Sequence, residues 1–76
     1  MSNKEARELQ ALPEEISALE AEQQSLAARM SAPDYFRQAP AILRADQARN
    51  AEIEKRLMEK LERWETLEAK AKAAAS

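Results

Sequence analysis

The side chains with the clearest chemical potential in this sequence are basic residues at a regular spacing. They recur at intervals of seven in the second half of the chain, at Arg49, Arg56, Arg63 and Lys70. On an α-helix this spacing places them in one stripe. A row of cations can contact successive phosphates of a nucleic acid without reading its bases. The pattern therefore predicts phosphate binding that is weak, independent of base sequence and strongly dependent on salt.

The same residues also fit an ordinary solvated helix surface. Glutamates lie four residues before basic side chains at three places, and such pairs stabilise an exposed helix by about 0.2–0.5 kcal/mol each. The three pairs are Glu52–Arg56, Glu59–Arg63 and Glu68–Lys72. The residues alone leave both interpretations open.

The sequence supplies little for catalysis or metal binding. It contains no Cys and no His, which removes thiol nucleophiles and the two commonest transition-metal ligands. It also contains no Gly, so it has no glycine-rich phosphate-binding loop. Carboxylates at helix-surface spacing form no concave site for acid–base chemistry. We therefore expect a domain that is not an enzyme and that takes no cofactor, metal or small-molecule ligand.

Length and composition favour one small all-α domain. The chain has 76 residues and is rich in Ala, Glu, Leu, Lys, Gln and Arg, the composition of long helices. Its net charge of −2 gives no global attraction to nucleic acid, so a basic surface must be local. No apolar run approaches the roughly 20 residues of a membrane span, and the N-terminus lacks an apolar signal core. We expect no membrane partner.

Two heptad series predict two long helices. In the first series, steps of three and four connect apolar residues and one polar residue. Its members are Leu9, Leu12, Ile16, Leu19, Gln23, Leu26 and Met30. In the second series, steps of eleven between some apolar residues predict local unwinding of a supercoil. The second series comprises Ile42, Ala45, Arg49, Ile53, Leu57, Leu61, Trp64 and Leu67 or Glu68.

The stretch between the two series predicts a reversal of the chain near Asp34. It contains Pro33 and Pro40, and Ser31 with Asp34 is placed to cap a short helical turn. Two long helices with a short connection form an antiparallel hairpin most simply. When positions whose numbers sum to about 72 or 73 are paired, apolar residues meet nearly everywhere.

This alignment makes specific predictions about three aromatic residues and one polar layer. It sets Trp64 beside Leu9, and we expect Tyr35 and Phe36 to plug the tip of the hairpin. Stacking of these aromatic side chains on the bases of a single strand is the alternative. Gln23 falls opposite Arg49 or Asn50, and such a polar layer fixes register in a coiled coil.

Pro13 divides the first series. A proline in a helix interior removes one hydrogen bond and costs about 3 kcal/mol, yet the heptad phase continues across it. We therefore expect a kink or a break at Pro13. The predicted organisation is a single helical-hairpin domain over residues 1–76. It consists of an N-terminal helical element (1–12), a first coiled-coil helix (13–30), a tip (31–40) and a second coiled-coil helix (41–73).

Three segments, in the same order and spacing, resemble the C-terminal domain of ABC-F ATPases of the Uup type. They are SNKEARELQALPEEISALEAE from Ser2, APDYF from Ala32 and LERWETLEA from Leu61. The sequence departs from the family pattern at Asn3, where the family has tyrosine, and at Ala6. The first segment matches the family pattern at Ser2, Lys4, Glu5, Arg7, Glu8, Leu9, Leu12, Pro13, Ile16, Leu19 and Glu20.

The resemblance implies a cytoplasmic accessory domain that follows two ATP-binding cassettes and that binds nucleic acid, DNA ahead of RNA. The wider family works on ribosomes, so the ribosome and the protein's own ATPase domains are further expected partners. The alternative is a protein-interaction or spacer hairpin that docks on the ATPase core or the ribosome. The candidate nucleic-acid contacts are Lys4, Arg7, Arg56, Lys60, Arg63 and Lys70.

Overall fold

A computed structural model describes residues 1–75 and contains two long helices joined by a short turn. Helix α1 spans Asn3–Met30, a 3₁₀ turn spans Tyr35–Arg37 and helix α2 spans Pro40–Ala75. The helices pack side by side into a rod of 57 × 17 × 15 Å. Its open end holds both termini of the described chain, and its tip holds the turn. The predicted all-α hairpin with a short helical turn at the tip is confirmed.

Contacts at the two ends of the rod show that the helices are antiparallel. Near the open end, the Lys70 ammonium lies 2.6 Å from a carboxylate oxygen of Glu5. Near the tip, the Arg29 guanidinium lies 2.6 Å from a carboxylate oxygen of Asp46. The residue numbers of each pair sum to 75, close to the predicted sum of 72 or 73.

Local sequence signals define the ends of α1. Ser2 caps the helix, since its hydroxyl accepts a hydrogen bond from the Glu5 backbone N–H while the Glu5 carboxylate accepts one from the Ser2 backbone N–H. This reciprocal capping box satisfies two backbone donors that the first turn of a helix leaves free. At the other end the Ser31 hydroxyl donates to the Ala27 carbonyl oxygen. Ser31 therefore closes α1 instead of capping the turn with Asp34, whose side chain forms no capping bond.

Helix α1 continues through Pro13 without interruption. Of the two outcomes expected there, the break does not occur, and a bend in the helix axis stays a prediction. The helix persists because Leu12 and Ile16, which flank the proline, are both buried against α2, while Pro13 itself is exposed. Packing of an amphipathic face outweighs the loss of one backbone hydrogen bond.

The core lies along the first heptad series as predicted. Leu12, Ile16, Leu19 and Leu26 of α1 are buried. Leu19 and Leu26 form one cluster with Ile53, against which Met30 and Leu57 pack. The predicted meeting of Leu19 with Ile53 is thereby confirmed. Burying each such side chain contributes about 1.5–3 kcal/mol relative to leaving it in water.

The second series is wrong at three positions, because polar residues occupy part of the seam of α2. Ile42 and Leu61, expected in the core, are 47% and 43% exposed, and Ala45 is exposed as well, while Arg49 is half-buried beside the seam. The inward-facing positions instead follow regular steps of three and four, without steps of eleven. They are Leu43, Asp46, Asn50, Ile53, Leu57, Lys60, Trp64, Leu67 and Ala71.

A buried carboxylate explains how a charged residue holds a core position near the tip. Asp46 accepts a hydrogen bond of 2.8 Å from the Tyr35 hydroxyl and is paired with the Arg29 guanidinium through two hydrogen bonds. The bond from Tyr35, followed by the bond from Arg29, lowers the pKa of Asp46 and keeps it charged. One carboxylate thus joins α1, the tip and α2.

The expectations for the aromatic residues are met in part. Tyr35 is 2% exposed and plugs the tip as predicted, but Phe36 is 75% exposed and is no part of the plug. Arg63 and Glu8, the sequence neighbours of Trp64 and Leu9, lie 2.7 Å apart. Trp64 and Leu9 are therefore at the same level of the hairpin, and both are half-buried.

The predicted polar layer forms with a different partner. The Arg49 guanidinium donates two hydrogen bonds to the Glu22 carboxylate, at 2.5 and 2.7 Å. Gln23 and Asn50 are half-buried beside this pair, and Asn50 donates to Glu54 of its own helix at 3.5 Å. The polar layer lies at the predicted level of the hairpin. Its hydrogen bonds from Arg49, however, go to the carboxylate of Glu22 and not to Gln23.

Removing the buried carboxylate should destabilise the hairpin. Asp46→Ala leaves the Tyr35 hydroxyl and the Arg29 guanidinium without their acceptor, so the thermal midpoint should fall by about 10 °C. Asp46→Asn keeps an acceptor for Tyr35 and should lower the midpoint less. Circular dichroism during heating measures both. Glu59→Ala, an exposed position on the same helix, is the control, and an equal loss in this control would contradict the role of Asp46.

Candidate nucleic-acid interface

Four ion pairs join carboxylates of α1 to cations of α2 along the rod. The shortest atom pairs lie between 2.5 and 3.3 Å. Arg63 also approaches Glu5 at 3.9 Å. In each of these pairs α1 supplies the acid and α2 the base. The four pairs are Glu5–Lys70, Glu8–Arg63, Glu15–Lys60 and Glu22–Arg49.

Ion pairing lowers the pKa values of three carboxylates of α1, those of Glu5, Glu8 and Glu22. Hydrogen bonds from Lys70 and from the Ser2 backbone lower the pKa of Glu5 to about 2. The Arg63 hydrogen bond lowers the pKa of Glu8, and the Arg49 hydrogen bond lowers that of Glu22. The same bonds raise the pKa values of Arg63 and Arg49. All of these groups are therefore charged at neutral pH.

Most of the candidate contacts are thus engaged within the hairpin. Lys60, Arg63 and Lys70 each bind a carboxylate of α1. Arg56 binds Glu52 of its own helix at 2.8 Å, as the solvated-surface interpretation predicted. The cations at intervals of seven do lie on one helix, but the structure surrounds them with carboxylates.

Other cations at the open end are not engaged in this way. We define the open end as residues 1–12 and 60–75. Within the described chain, Lys4, Arg7 and Lys72 are exposed and lie in no ion pair. The pair Glu68–Lys72, expected on the surface of α2, does not form within 4 Å. Lys4 reaches Glu8 only through a longer-range attraction, which contributes to the lowered pKa of that glutamate.

A shallow groove and exposed apolar side chains lie beside these cations. The groove, about 440 Å³ in volume, runs along the last turns of α2 and is lined by Trp64, Glu65, Glu68, Ala69 and Lys72. Met58 is 65% exposed and lies one turn before Leu61, which lies one turn before the groove. The two features form a continuous strip on one side of α2.

The ion pairs between the helices were missed from the sequence although a signal for them exists. Glu8, Glu15 and Glu22 recur at intervals of seven on α1, as the cations do on α2. In an antiparallel hairpin, charges that flank two heptad seams face each other across the interface. Pairs of residues i and i+4 within α2 were expected from the sequence. In the structure, Arg63 pairs with Glu8 of α1 and not with Glu59 of its own helix.

Neither a metal site nor a membrane-spanning helix is found in the described chain. Among residues 1–75, no group of three or more His, Cys, Asp or Glu side chains is placed to hold a metal ion. No helix of this part of the chain combines the length and the apolar character needed to cross a bilayer. Among residues 1–75, the open end is the candidate interface for the predicted cations because Lys4, Arg7 and Lys72 lie there outside ion pairs.

Comparison with known protein families identifies the type of domain. Residues 1–69 match the family model described as ABC transporter C-terminal domain. No curated protein and no solved structure matches the chain. A domain of this family is separate from the ATPase core of an ABC protein, and the chain is accordingly a non-catalytic domain. Assignment to the Uup type stays a prediction.

The lowered pKa values predict loss of stability in acid. The pKa of Glu5 falls from 4.5 to about 2 on folding, so between these values the unfolded chain binds more protons than the hairpin. The free energy of unfolding then decreases as the pH falls. Stabilisation by the paired carboxylates should be complete above about pH 5 and lost towards about pH 2. Urea denaturation across this range measures it.

A paired set of variants tests the source of that pH dependence. Glu5→Gln combined with Glu8→Gln should make the free energy of unfolding vary less between neutral and acid pH. Glu59→Gln removes an exposed carboxylate that lies in no ion pair and should leave the pH dependence unchanged. Identical curves for the wild type and the double variant would show that these ion pairs do not stabilise the hairpin.

Proposed function

The chain belongs to the ABC transporter C-terminal domain family, and on that premise we propose that it binds nucleic acid for its parent ABC protein. The proposed contact is electrostatic, is made with phosphates at the open end of the hairpin, and has no base specificity. DNA is the favoured ligand over RNA because the first, central and last segments resemble the Uup-type domain, with which DNA binding is associated.

The observation that supports this proposal is the uneven distribution of charge along the rod. The open end carries six basic and five acidic side chains, whereas the remainder of the chain carries six basic and nine acidic ones. An anionic ligand is therefore repelled less by the open end than by the remainder of the rod taken as a whole. Local charge decides the encounter even though the whole chain has a net charge of −2.

The cations outside ion pairs are the first contacts in this proposal. Lys4 and Arg7 lie in the first turns of α1 and Lys72 in the last turns of α2, so phosphates reach them without displacing a carboxylate. Three such contacts release about three counterions from duplex DNA, which makes binding weak and salt-dependent. Lysine and arginine contribute here as charges, since no side chain is placed to read a base edge.

The ion-paired cations join as secondary contacts. Lys70 and Arg63 are about half exposed in their pairs with α1, and exposed ion pairs contribute little to stability, so their cations can turn to phosphate. A duplex that extends along α2 then meets Lys60 and finally Arg56. Arg56 lies about 10 Å from Arg63, two turns nearer the middle of the rod.

The strip that includes Met58 and Leu61 favours a second candidate function. Exposed apolar side chains beside a groove are a common feature of protein-docking surfaces, and the ATPase core of the same ABC protein is the partner that the family provides. In this alternative the hairpin is a spacer that docks through α2. The absence of DNA binding by a folded domain at low salt would favour it over the first candidate.

Affinity for duplex DNA measured against salt tests the first candidate. The three cations outside ion pairs should give the logarithm of the association constant a slope of about −3 against the logarithm of salt concentration, and cations released from ion pairs should make the slope steeper. Arg7→Gln and Lys72→Gln should each reduce the magnitude of that slope by about 1, because each removes one phosphate contact. Fluorescence anisotropy of a labelled duplex is a suitable measurement.

A matched variant distinguishes the effect of losing a direct phosphate contact from the effect of changing the net charge. Lys55→Gln removes an exposed cation from the middle of α2 that also lies in no ion pair, so its effect on net charge equals that of Lys72→Gln. The proposal expects its slope to equal that of the wild type. Equal reductions for Lys55→Gln and Lys72→Gln would show that net charge, and not the open end, determines binding.

A further inference from the structure

The most exposed large apolar side chain of the described chain lies at the tip, far from the open end. Phe36 is 75% exposed, although its neighbour Tyr35 is buried. A phenylalanine in this position adds almost nothing to the stability of the hairpin, because burial is what makes an apolar side chain stabilising. Because burial does not account for a large ring at this position, a functional explanation is needed.

The Phe36 ring is held in place by the folded tip. The turn is closed by backbone hydrogen bonds from Tyr35 to Ala32, from Arg37 to Asp34 and from Gln38 to Tyr35, at 3.0 to 3.2 Å. The Tyr35 hydroxyl is anchored on Asp46. The rings of Tyr35 and Phe36 meet edge to face, with centroids 5.3 Å apart and planes at 80°. An aromatic ring that is already ordered loses little entropy when a ligand stacks on it.

The charges around this ring favour an anionic ligand. Arg37 follows Phe36 directly, and Arg44 lies in the second turn of α2. Both are exposed, and neither lies in an ion pair within residues 1–75. Of the carboxylates nearby, Asp46 is already balanced by Arg29, which leaves Asp34. The tip therefore combines one exposed aromatic ring with two available guanidinium groups.

We infer that the tip is a binding site for unpaired nucleic-acid strands, in which a base stacks on Phe36 and the flanking phosphates bind Arg37 and Arg44. This combination of a stacking ring with backbone-tracking cations is how proteins hold single strands without sequence preference. A duplex cannot use the ring, because its bases are stacked inside. The site is independent of the open end, from which it is separated by most of the 57 Å length of the rod.

The alternative occupant, an apolar pocket of another protein, fits the tip less well. Such a pocket would use the bulk of Phe36, but a purely apolar pocket would leave the two arginines without an anionic partner. Leucine at position 36 keeps apolar bulk and removes the aromatic face. The two occupants can therefore be distinguished by substitution at one residue.

Intrinsic fluorescence provides the direct test of stacking. The chain has one Trp, so Phe36→Trp combined with Trp64→Phe moves the fluorophore from the open end to the tip. Titration with a deoxythymidine oligomer of about 12 nucleotides should quench this fluorescence as bases stack on the ring. Ala21→Trp combined with Trp64→Phe places an exposed fluorophore in the middle of α1, away from every proposed contact, where no quenching is expected. Circular dichroism verifies that both variants are folded.

Affinity measurements on the natural side chain complete the test. Phe36→Ala and Phe36→Leu should each weaken binding of the oligomer by about five- to a hundredfold, since both remove one stacked base. Neither substitution should change affinity for a duplex of the same length. Arg37→Gln combined with Arg44→Gln should reduce the magnitude of the salt slope for the oligomer by about 1.4.

Three results would overturn the inference. The first is unchanged affinity for the oligomer in Phe36→Ala, and the second is equal quenching of fluorophores at positions 36 and 21. Retention of affinity by Phe36→Leu alone would also reject base stacking and leave apolar docking as the use of the tip. The Arg7 and Lys72 variants test duplex binding at the open end, whereas the Phe36 variants test binding of the oligomer at the tip. Each proposal can therefore fail independently of the other.

Discussion

A single buried carboxylate holds the three parts of this molecule together. Asp46 of α2 accepts hydrogen bonds from Arg29 of α1 and from Tyr35 of the turn, so it determines where the chain reverses and in which register the helices meet. A charge in a core position is tolerated because both partners satisfy it. With this register, Leu19, Leu26 and Ile53 come together a few turns away from Asp46. The pairing of the remaining helix turns is then determined as well.

The same register decides which cations are available to a ligand. Antiparallel pairing brings the glutamates of α1 against the cations of α2, and four ion pairs form along the length of the rod. Basic residues near the middle of the rod lie in ion pairs or have acidic residues close by. Those outside ion pairs include Lys4, Arg7 and Lys72 at the open end and Arg37 and Arg44 towards the tip. In the proposed function, a rod of this kind contacts its ligands with its ends, and its middle is a spacer between them.

The sequence predicted the helical hairpin because the apolar heptads of α1 are nearly complete and the prolines mark the turn. The prediction of the inward-facing positions failed for α2, because three of them are polar: Asp46, Asn50 and Lys60. Ile42 and Leu61, which lie close to these positions in the sequence, suggested an apolar series that is not buried. Whether a polar residue is buried depends on partners that lie far away in the sequence. The exposure of Phe36 escaped prediction for a related reason, since one ring of an adjacent aromatic pair fills the tip completely. The charge pairs across the interface could have been anticipated once the antiparallel register was known.

In the proposed function, duplex DNA binds at the open end of the hairpin, where Lys4, Arg7 and Lys72 lie outside ion pairs. Amide chemical shifts of the isotopically labelled domain, recorded during titration with duplex DNA, test it most directly. We expect shift changes concentrated in residues 1–12 and 60–75, with the amides around Glu22 and Arg49 unaffected. Changes centred on the middle of α2, with the open end silent, would contradict it.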